Sequence, residues 1–207
     1  IPAGDIRAGA FALAVSYRCF PRLTVHGAVV DPGVGSQRAA IVVRTADYFF
    51  VGPDNGILSL ALAQEKVVEI WRVENQSLLR QPVSNTFHGR DVFAPIAARL
   101  TQGLLLDTLG TKLKDYTRLE GVQPKVVDGV MRGEIIYIDR FGNCITNISA
   151  VTSAAGKVRV AGRIESDLRR IYQDAPAGQP VALAGSTGFL EIAINAGNAA
   201  QSLGLKI

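Results

Sequence analysis

The stretch Val30-Asp31-Pro32-Gly33-Val34-Gly35-Ser36-Gln37-Arg38 joins two apolar runs, 23–30 and 39–43, and decides how the first half of the chain folds. Proline fixes φ and glycine permits positive φ, so Pro-Gly-x-Gly predicts a tight turn between two strands. The turn holds an acid after one strand and an arginine before the next. Such loops, outside the carboxyl ends of strands in open α/β sheets, are where ligands bind. The alternative is a plain strand–turn–strand with an ordinary surface Asp–Arg pair.

Length and composition indicate a soluble globular protein of one large or two small domains. The chain has 207 residues, of which 48% are hydrophobic and 19% charged. No apolar run approaches the roughly 20 residues that span a bilayer, and no basic-then-apolar signal segment is present. The net charge of +4 is scattered and has no aromatic interleaving, so we predict neither a nucleic-acid partner nor a membrane partner.

The two cysteines, Cys19 and Cys144, lie far apart and outside any Cys-x-x-Cys or Cys/His spacing. Neither a zinc site nor a disulfide framework follows from such a pair. Reduced thiols in a cytoplasmic protein are the simplest interpretation.

The hydrophobic pattern predicts an N-terminal α/β domain over 1–124. Helical spacing predicts helices at 6–20, 57–63 and 92–100, and apolar runs predict strands at 23–30, 39–44, 48–51 and 67–73. Residues 105–124 have mixed charge and no strong period, so we interpret them as the connection to a second domain.

The pattern of the remaining residues, 125–207, predicts a C-terminal β domain. Short runs between glycine turns predict strands at 133–139, 144–148, 157–160, 163–166, 180–184 and 189–194, followed by a short helical turn over 195–200. This pattern is typical of a small barrel or sandwich.

Three ionisable residues stand at predicted turns of the first domain: Asp31, Arg38 and His88. His88 lies just before a predicted helix, where backbone N–H groups and the helix dipole favour anions. An imidazole with an ordinary pKa near 6.5 is a natural proton acceptor around neutrality. A purely structural role for His88 is the alternative. His26 lies inside an apolar run, and we predict a core residue with its hydrogen bonds satisfied.

Other chemistries find little support in the sequence. The sequence contains no His pair and no His-x-x-x-His spacing, so no metal ligand is predicted. The Gly-x-Ser-x-Gly elbow of many serine hydrolases is missing. Gly33-Val34-Gly35 lacks the third glycine and the strand–helix context of a dinucleotide site.

Polar side chains stand in or beside the predicted turns of the second domain, namely Asp139, Asn143, Ser186, Glu191 and Asn195. Amides and carboxylates can hydrogen-bond the edge of a purine, and Phe141 could stack on its face. The alternative is that asparagine and aspartate are ordinary turn formers, and composition alone favours it.

Five segments together resemble the S-adenosyl-L-methionine hydroxide adenosyltransferases, a family of S-adenosylmethionine hydrolases related to the bacterial fluorinase and chlorinase. The segments are VVDPGVGSQR (29–38), PDNGIL (53–58), NTFHGRDVFAPIAARL (85–100), IDRFGNCITNI (138–148) and GSTGFLEIAINAGNAA (185–200). They occur in the family's order and span nearly the whole chain. One segment would be suggestive, whereas five in order are a specific match.

This resemblance implies an α/β sandwich-like N-terminal domain, an all-β barrel-like C-terminal domain, and a homotrimer with sites at subunit interfaces. The implied enzyme hydrolyses S-adenosyl-L-methionine to adenosine and L-methionine. It needs no cofactor, because S-adenosylmethionine is the substrate. The family's Asp–Arg–His trio, which positions and activates a water, falls on Asp31, Arg38 and His88. The halogenases lack the trio and bind halide there, so its presence favours hydrolysis.

The resemblance also implies which residues of the second domain bind substrate. Asn143 falls on the adenine position, with Phe141 beside it and Asp139 near the methionine end. The nucleoside-binding positions of the last segment are Ser186, Glu191 and the backbone around Ile194, with Asn195 and Ala196 adjacent.

The sequence departs from the family pattern in two places. Family members begin with a strand ending in a Thr-Asp-Phe-Gly-like turn, whose aspartate holds the ribose hydroxyls. That strand and its aspartate are absent from this sequence, which opens at Ile1, and ribose binding and the N-terminal sheet both depend on them. Thr187 stands where the fluorinase has an arginine, which bears on contacts to the methionine carboxylate. A 5′-halogenase and a catalytically impaired adenosine-binding protein are the alternatives.

Overall fold

The computed structural model describes residues 1–121, 123–150, 157–162 and 164–207. They divide into two units, residues 1–120 and residues 121–207. The first is a mixed α/β unit, and the second is dominated by a curled, half-barrel sheet. The predicted fold class is therefore confirmed.

The first unit is built on a five-stranded sheet. Its helices and strands are α1 (Ile6–Ser16), β1 (Val25–Gly27), β2 (Ala40–Thr45), β3 (Phe49–Pro53), α2 (Ser59–Leu62), β4 (Val67–Arg72), α3 (Ala94–Thr101) and β5 (Lys112–Leu113). The strand order is β1-β3-β2-β4-β5, with β1 parallel to β3 and the other pairs antiparallel. Because β3 lies between β1 and β2, the glycine-containing loop after β1 passes the end of β3 before entering β2.

Local chemistry explains where α1 begins and how α3 packs. Asp5 caps α1, since its carboxylate accepts a hydrogen bond from the Ala8 amide at 2.8 Å. The apolar side of α3 and of the turn before it packs against the sheet in one core cluster of the first unit. That core consists of Val42, Val51, Val92, Phe93, Ile96, Leu100 and Leu109. The loop residues that precede β2 are thus anchored to a packed sheet and helix.

Two predictions for the first unit are wrong in extent. The first strand covers Val25–Gly27 instead of 23–30, and its late start follows from Leu23, which has a φ of 68° and cannot extend the strand. Residues 105–124 are not merely a connection, because β5 pairs with β4 and Leu109 is fully buried in the core. A two-residue strand has no periodicity, so the pattern gave no sign of β5.

His26 lies in the core as predicted, but its hydrogen bonds are not satisfied. Its ring packs against the rings of Tyr17, Phe20, Tyr48 and Phe50, with centroids 5.4–6.0 Å apart. Nε2 is buried and has no hydrogen-bond partner among the described residues. Burial lowers the pKa of His26, because an apolar environment disfavours the charged imidazole. Acidification below the ordinary imidazole pKa therefore destabilises the first unit.

The second unit contains a two-stranded hairpin and a six-stranded sheet. Its elements are β6 (Lys125–Val127), β7 (Val130–Arg132), β8 (Ile135–Ile138), β9 (Cys144–Ser149), β10 (Lys157–Val160), β11 (Ile164–Arg169), β12 (Pro180–Ala184), β13 (Phe189–Ile194) and α4 (Ala199–Leu203). The hairpin pairs β6 with β7, and the sheet order is β10-β11-β12-β13-β9-β8. The strands predicted at 180–184 and 189–194 have the predicted bounds. The strand predicted at 163–166 begins at Arg163, which lies outside the described residues.

The central strands β12 and β13 are buried on both faces. One face joins a core of Cys144, Val160, Ala182, Leu190, Ile192, Ile194 and Ala199, and the other joins a core of Ala175, Val181, Leu183 and Ala193. Side chains at the ends of β13 are therefore held on a rigid support. In the described part of both units, no helix has the length and hydropathy to cross a bilayer.

Candidate active site

Asp31 and Arg38 form a mostly buried ion pair across the loop between β1 and β2. Nε of Arg38 donates to Oδ1 and Oδ2 of Asp31 at 3.1 and 3.0 Å, and Nη2 also donates to Oδ2. Only 11% of the Arg38 side chain and 5% of the Asp31 side chain are exposed. The guanidinium carbon lies 5.3 Å from the centre of the Phe93 ring, so the buried Phe93 side chain also positions the guanidinium.

The loop between the two residues is tightly turned, as the sequence predicts. The Val34 amide donates to the Asp31 carbonyl at 3.2 Å, and the Ser36 amide donates to the Gly33 carbonyl at 3.1 Å. Gly35 has a φ of +79°, and a Cβ there would lie 2.4 Å from the carbonyl oxygen of Asn85. Glycine is required at this position for both reasons. The loop backbone consequently lies directly against the segment that leads to His88.

His88 joins the ion pair from a distant part of the chain. It stands at the start of a wide, π-type turn, Gly89–Phe93, which continues into α3. Its Nδ1 lies 2.7 Å from Nη2 of Arg38. A guanidinium has only donors, so Nδ1 is the acceptor, and the proton of a neutral imidazole is on Nε2. The structure thus brings the predicted trio into direct contact, with Arg38 in the middle.

The environment of His88 favours its neutral form. Burial lowers the pKa of His88, and the positive charge of Arg38 lowers it further, against the opposing charges of Asp31 and Asp91. In this arrangement Nδ1 is occupied by Arg38 and Nε2 carries hydrogen, and the predicted catalytic role of His88 stays a prediction. In the described part of the chain, Nη1 of Arg38 has no hydrogen-bond partner and is a free donor of the trio.

The second unit places several predicted binding residues around the turn between β8 and β9. Oδ1 of Asp139 accepts from the amides of Phe141 and Asn143, both at 2.9 Å, and Oδ2 accepts from Nδ2 of Asn143 at 3.1 Å. These bonds fix the Asn143 amide, so that its Oδ1 remains as an acceptor. Phe141 is 76% exposed, which leaves its ring face open. A planar ring that carries a hydrogen-bond donor fits this combination of a fixed acceptor and an open aromatic face.

Glu191 is buried beside the same turn. Strand β13 pairs with β9 in a register that places Glu191 opposite Ile145, just after Asn143. Burial raises the pKa of Glu191, and the nearby charge of Asp139 adds to this effect. Tyr172 donates its hydroxyl to Oε1 of Glu191 at 2.6 Å, and this bond together with burial raises the pKa of Tyr172 to about 12. Sequence reasoning missed Tyr172, which follows no recognisable pattern.

The other predicted binding residues have diverse surroundings. Ser186 is exposed in the turn between β12 and β13, and Ile194 is buried. Nδ2 of Asn195 donates to the Ala175 carbonyl at 2.7 Å, so this amide group serves the fold. Ala196 has a φ of 55°, which marks a tight turn after β13. Their predicted contacts with substrate stay predictions.

The two thiols are both free, and they differ in accessibility. Cys19 is exposed on the turn after α1, whereas Cys144 is buried at the start of β9. Burial, with the charges of Asp139 and Glu191, raises the pKa of the Cys144 thiol to about 11. Within the described residues, no three His, Cys, Asp or Glu side chains are grouped so that they could hold a metal ion.

The chain carries both characteristic domains of one enzyme family. Residues 1–110 match the SAM hydroxide adenosyltransferase N-terminal domain, and residues 133–207 match the C-terminal domain of the same family. The chain belongs to the SAM hydroxide adenosyltransferase family.

Individual relatives make the likeness more specific. An (R)-S-adenosyl-L-methionine hydrolase of Thermus thermophilus is 40% identical, over 100% of this chain and 82% of the relative. A fluorinase of an Actinoplanes species is 27% identical, over 98% of this chain and 80% of the fluorinase. The crystal structure of an uncharacterised conserved protein from Thermotoga maritima is 37% identical and superposes with a TM-score of 0.86, covering 100% of this chain and 82% of that one.

Proposed function

We propose that this protein hydrolyses S-adenosyl-L-methionine to adenosine and L-methionine. The contact of Asp31, Arg38 and His88, in a chain of the SAM hydroxide adenosyltransferase family, is the observation that carries the proposal. Relatives named (R)-S-adenosyl-L-methionine hydrolase support it, since one is 40% identical, against 27% for the fluorinase.

The reaction is an in-line displacement at the 5′-carbon. A bond forms between that carbon and a water oxygen while the carbon–sulfur bond breaks, and the electron pair of the broken bond goes to sulfur. The sulfonium thereby becomes the neutral thioether of methionine, so no general acid is needed at the leaving group. One proton leaves the water, and the reaction needs no redox partner or further cofactor.

The nucleophile sets the difficulty of the reaction. Free hydroxide at pH 7 costs about 12 kcal/mol, from a water pKa of ~15.7 and ~1.36 kcal/mol per unit. In our proposal Nη1 of Arg38, which is held in place by the contacts of Arg38 with Asp31 and His88, donates to the water oxygen and stabilises the negative charge that develops on it. Holding the water in line with the 5′-carbon lowers the barrier by several kcal/mol more.

Asp31 is the proposed proton acceptor of the trio. Arg38 only donates, and Nδ1 of His88 is occupied by Arg38. A carboxylate has about four lone-pair sites, and the three contacts from Arg38 leave one of them for the water proton. Asp31 therefore orients Arg38 and receives the proton at the same time.

Substrate binding and assembly complete the proposal. Asn143 accepts from the adenine amino group, Phe141 stacks on the ring, and Asp139 fixes the Asn143 amide. Ser186, Glu191, Ile194, Asn195 and Ala196 contact the rest of the nucleoside. We also propose a cytoplasmic homotrimer. Free thiols at both cysteines fit a reducing compartment.

Incubation of the purified protein with S-adenosylmethionine tests the activity directly. We expect adenosine and L-methionine in equal amounts, identified by chromatography and mass spectrometry. Parallel reactions with added chloride or fluoride test the halogenase alternative, which predicts 5′-halogenated nucleoside. Calorimetry with adenosine covers the remaining case, because binding without any turnover would make the protein an adenosine-binding relative and overturn the proposal.

Turnover is expected to depend on the protonation of His88. Protonated Nδ1 cannot accept from Arg38, so the neutral form is active, and activity is lost as the pH falls through the lowered pKa of His88. We expect the midpoint of this acid limb in kcat/KM to lie below the ordinary imidazole value of 6.5. Circular dichroism at each pH separates this effect from unfolding. A midpoint at or above 6.5 contradicts the lowered pKa that burial and the Arg38 contact give to His88.

A further inference from the structure

Asp91 carries a buried charge that the proposed reaction does not use. It lies three residues after His88, and 0% of its side chain is exposed. Oδ1 accepts from Nε of Arg90 at 2.7 Å and from Nη1 of Arg80 at 3.1 Å. Oδ2 accepts from Nη2 of Arg90 at 3.0 Å and from the Ser84 amide at 2.9 Å. The bonds from Arg90 and then from Ser84 hold the pKa of Asp91 well below its usual range, so it is ionised.

These bonds fasten the segment before His88 to the turn after it. The Arg80 amide also donates to the Asp91 carbonyl at 2.9 Å, so backbone and side chain both tie residue 91 to the start of the segment. At its far end the turn is also held by Val92 and Phe93, which pack in the core. The turn has π-type geometry, which is rare in proteins as a whole but frequent at functional sites. No side chain caps its start. Asp91 is thus the polar anchor of the turn that carries His88, beside the apolar packing of Val92 and Phe93.

The same segment also supports Arg38. Asn85 follows the Ser84 amide that Asp91 binds, and a Cβ on Gly35 would lie 2.4 Å from the Asn85 carbonyl oxygen. The loop that ends in Arg38 therefore rests on backbone that Asp91 holds in place. Asp91 therefore supports the backbone beside both partners of the 2.7 Å contact between Arg38 and His88, in addition to the Asp31 carboxylate that binds Arg38 directly.

We propose that Asp91 is a positioning residue, which holds the imidazole of His88 and the guanidinium of Arg38 at hydrogen-bond distance. The inference rests on the proposed function, in which that contact holds the nucleophile. Asp91 has an electrostatic part in this role as well. Among the described residues, the charged groups that act on His88 are Arg38, Asp31 and Asp91, and Asp91 opposes the lowering of the His88 pKa by Arg38.

Asp91→Asn tests the proposal, because it keeps the shape of the side chain but turns one acceptor into a donor that faces donors. We expect kcat to fall about 10- to 100-fold with KM little changed, since a misplacement of ~1 Å costs about 100-fold in rate. The acid limb of the pH profile should move to lower pH. Glu65→Gln is the matched control, because Glu65 is a carboxylate of the same unit that is only 8% exposed and pairs with Arg18. We expect this variant to keep wild-type kcat and acid limb.

Proton NMR gives a readout that does not need turnover. The chain has two histidines, so their C2 protons titrate as two resolved signals. In Asp91→Asn we expect the His88 signal to titrate at lower pH, while the His26 signal keeps its midpoint. If Asp91→Asn does not fold, Arg80→Gln removes one half-exposed partner and should lower kcat in the same sense by a smaller factor.

The outcomes separate the two proposals. Wild-type protein that makes no adenosine overturns the proposed function, and the His88 titration still tests positioning. Adenosine formation by the wild type, combined with unchanged kcat and unchanged His88 titration in a folded Asp91→Asn variant, overturns the role of Asp91 alone. With Arg80→Gln in its place, unchanged kcat overturns it equally.

Discussion

Replacing Arg38 with alanine is expected to lower kcat about 100- to 1000-fold, the usual effect of removing a donor from a developing negative charge. KM should change far less, because the guanidinium acts on the water and not on the substrate. Two further losses add to the effect. Asp31 loses the partner that neutralises it, and Nδ1 of His88 loses its donor. Steady-state kinetics with S-adenosylmethionine measure kcat and KM separately.

The shape of the guanidinium should matter as well as its charge. Arg38→Lys keeps the charge but has no planar fork to bind Asp31 and His88 together, so we expect a large loss in this variant too. Guanidinium ion added to Arg38→Ala should restore part of the turnover. Arg44→Ala is the control, since Arg44 is a half-exposed arginine of β2 that pairs with Glu69. Raised KM with unchanged kcat in Arg38→Ala would exclude the assigned role.

Phe93→Ala is expected to have the largest effect on stability, about 3–5 kcal/mol, which is typical when a buried phenylalanine is truncated. Phe93 is 1% exposed and belongs to the core between the sheet and α3. Its ring also lies under the guanidinium of Arg38. A whole domain is stable by only about 5–15 kcal/mol, so the loss should appear as a large drop in the urea midpoint.

Phe20→Ala provides the comparison for this measurement. Phe20 is 52% exposed and contacts the His26 ring at its edge, so its truncation leaves no large cavity. We expect a cost of about 1 kcal/mol or less, in line with substitutions near the surface. Equal destabilisation by the two variants would show that the core does not depend on the Phe93 ring.

Much of the fold could be predicted from the apolar pattern. The sequence predicts the hairpin of β2 and β3 and the strands β12 and β13, because their apolar runs or alternating apolar residues end at turn-forming residues. The pattern failed for short elements. Strands β5, β6 and β7 have two or three residues each, too few for any period to be seen. They form through pairing with a neighbour and not through local preference.

The candidate site could be predicted only in part. Asp31 and Arg38 lie seven residues apart on one stiff loop, so their pairing follows from local geometry. His88 lies 50 residues beyond Arg38, and only the family resemblance linked it to the pair. The tautomer of His88 and the role of Asp91 were not predictable, because each depends on donors brought together by the folded chain.

The contrast between the two thiols has a practical consequence. Maleimides react with thiolate, and Cys144 is both buried and hard to ionise, so they modify Cys19 alone at neutral pH. A chain of this sequence therefore accepts one fluorophore or spin label at a known position, without engineering. Uptake of a second label would report that β9 has opened, which makes alkylation stoichiometry a simple probe of local unfolding.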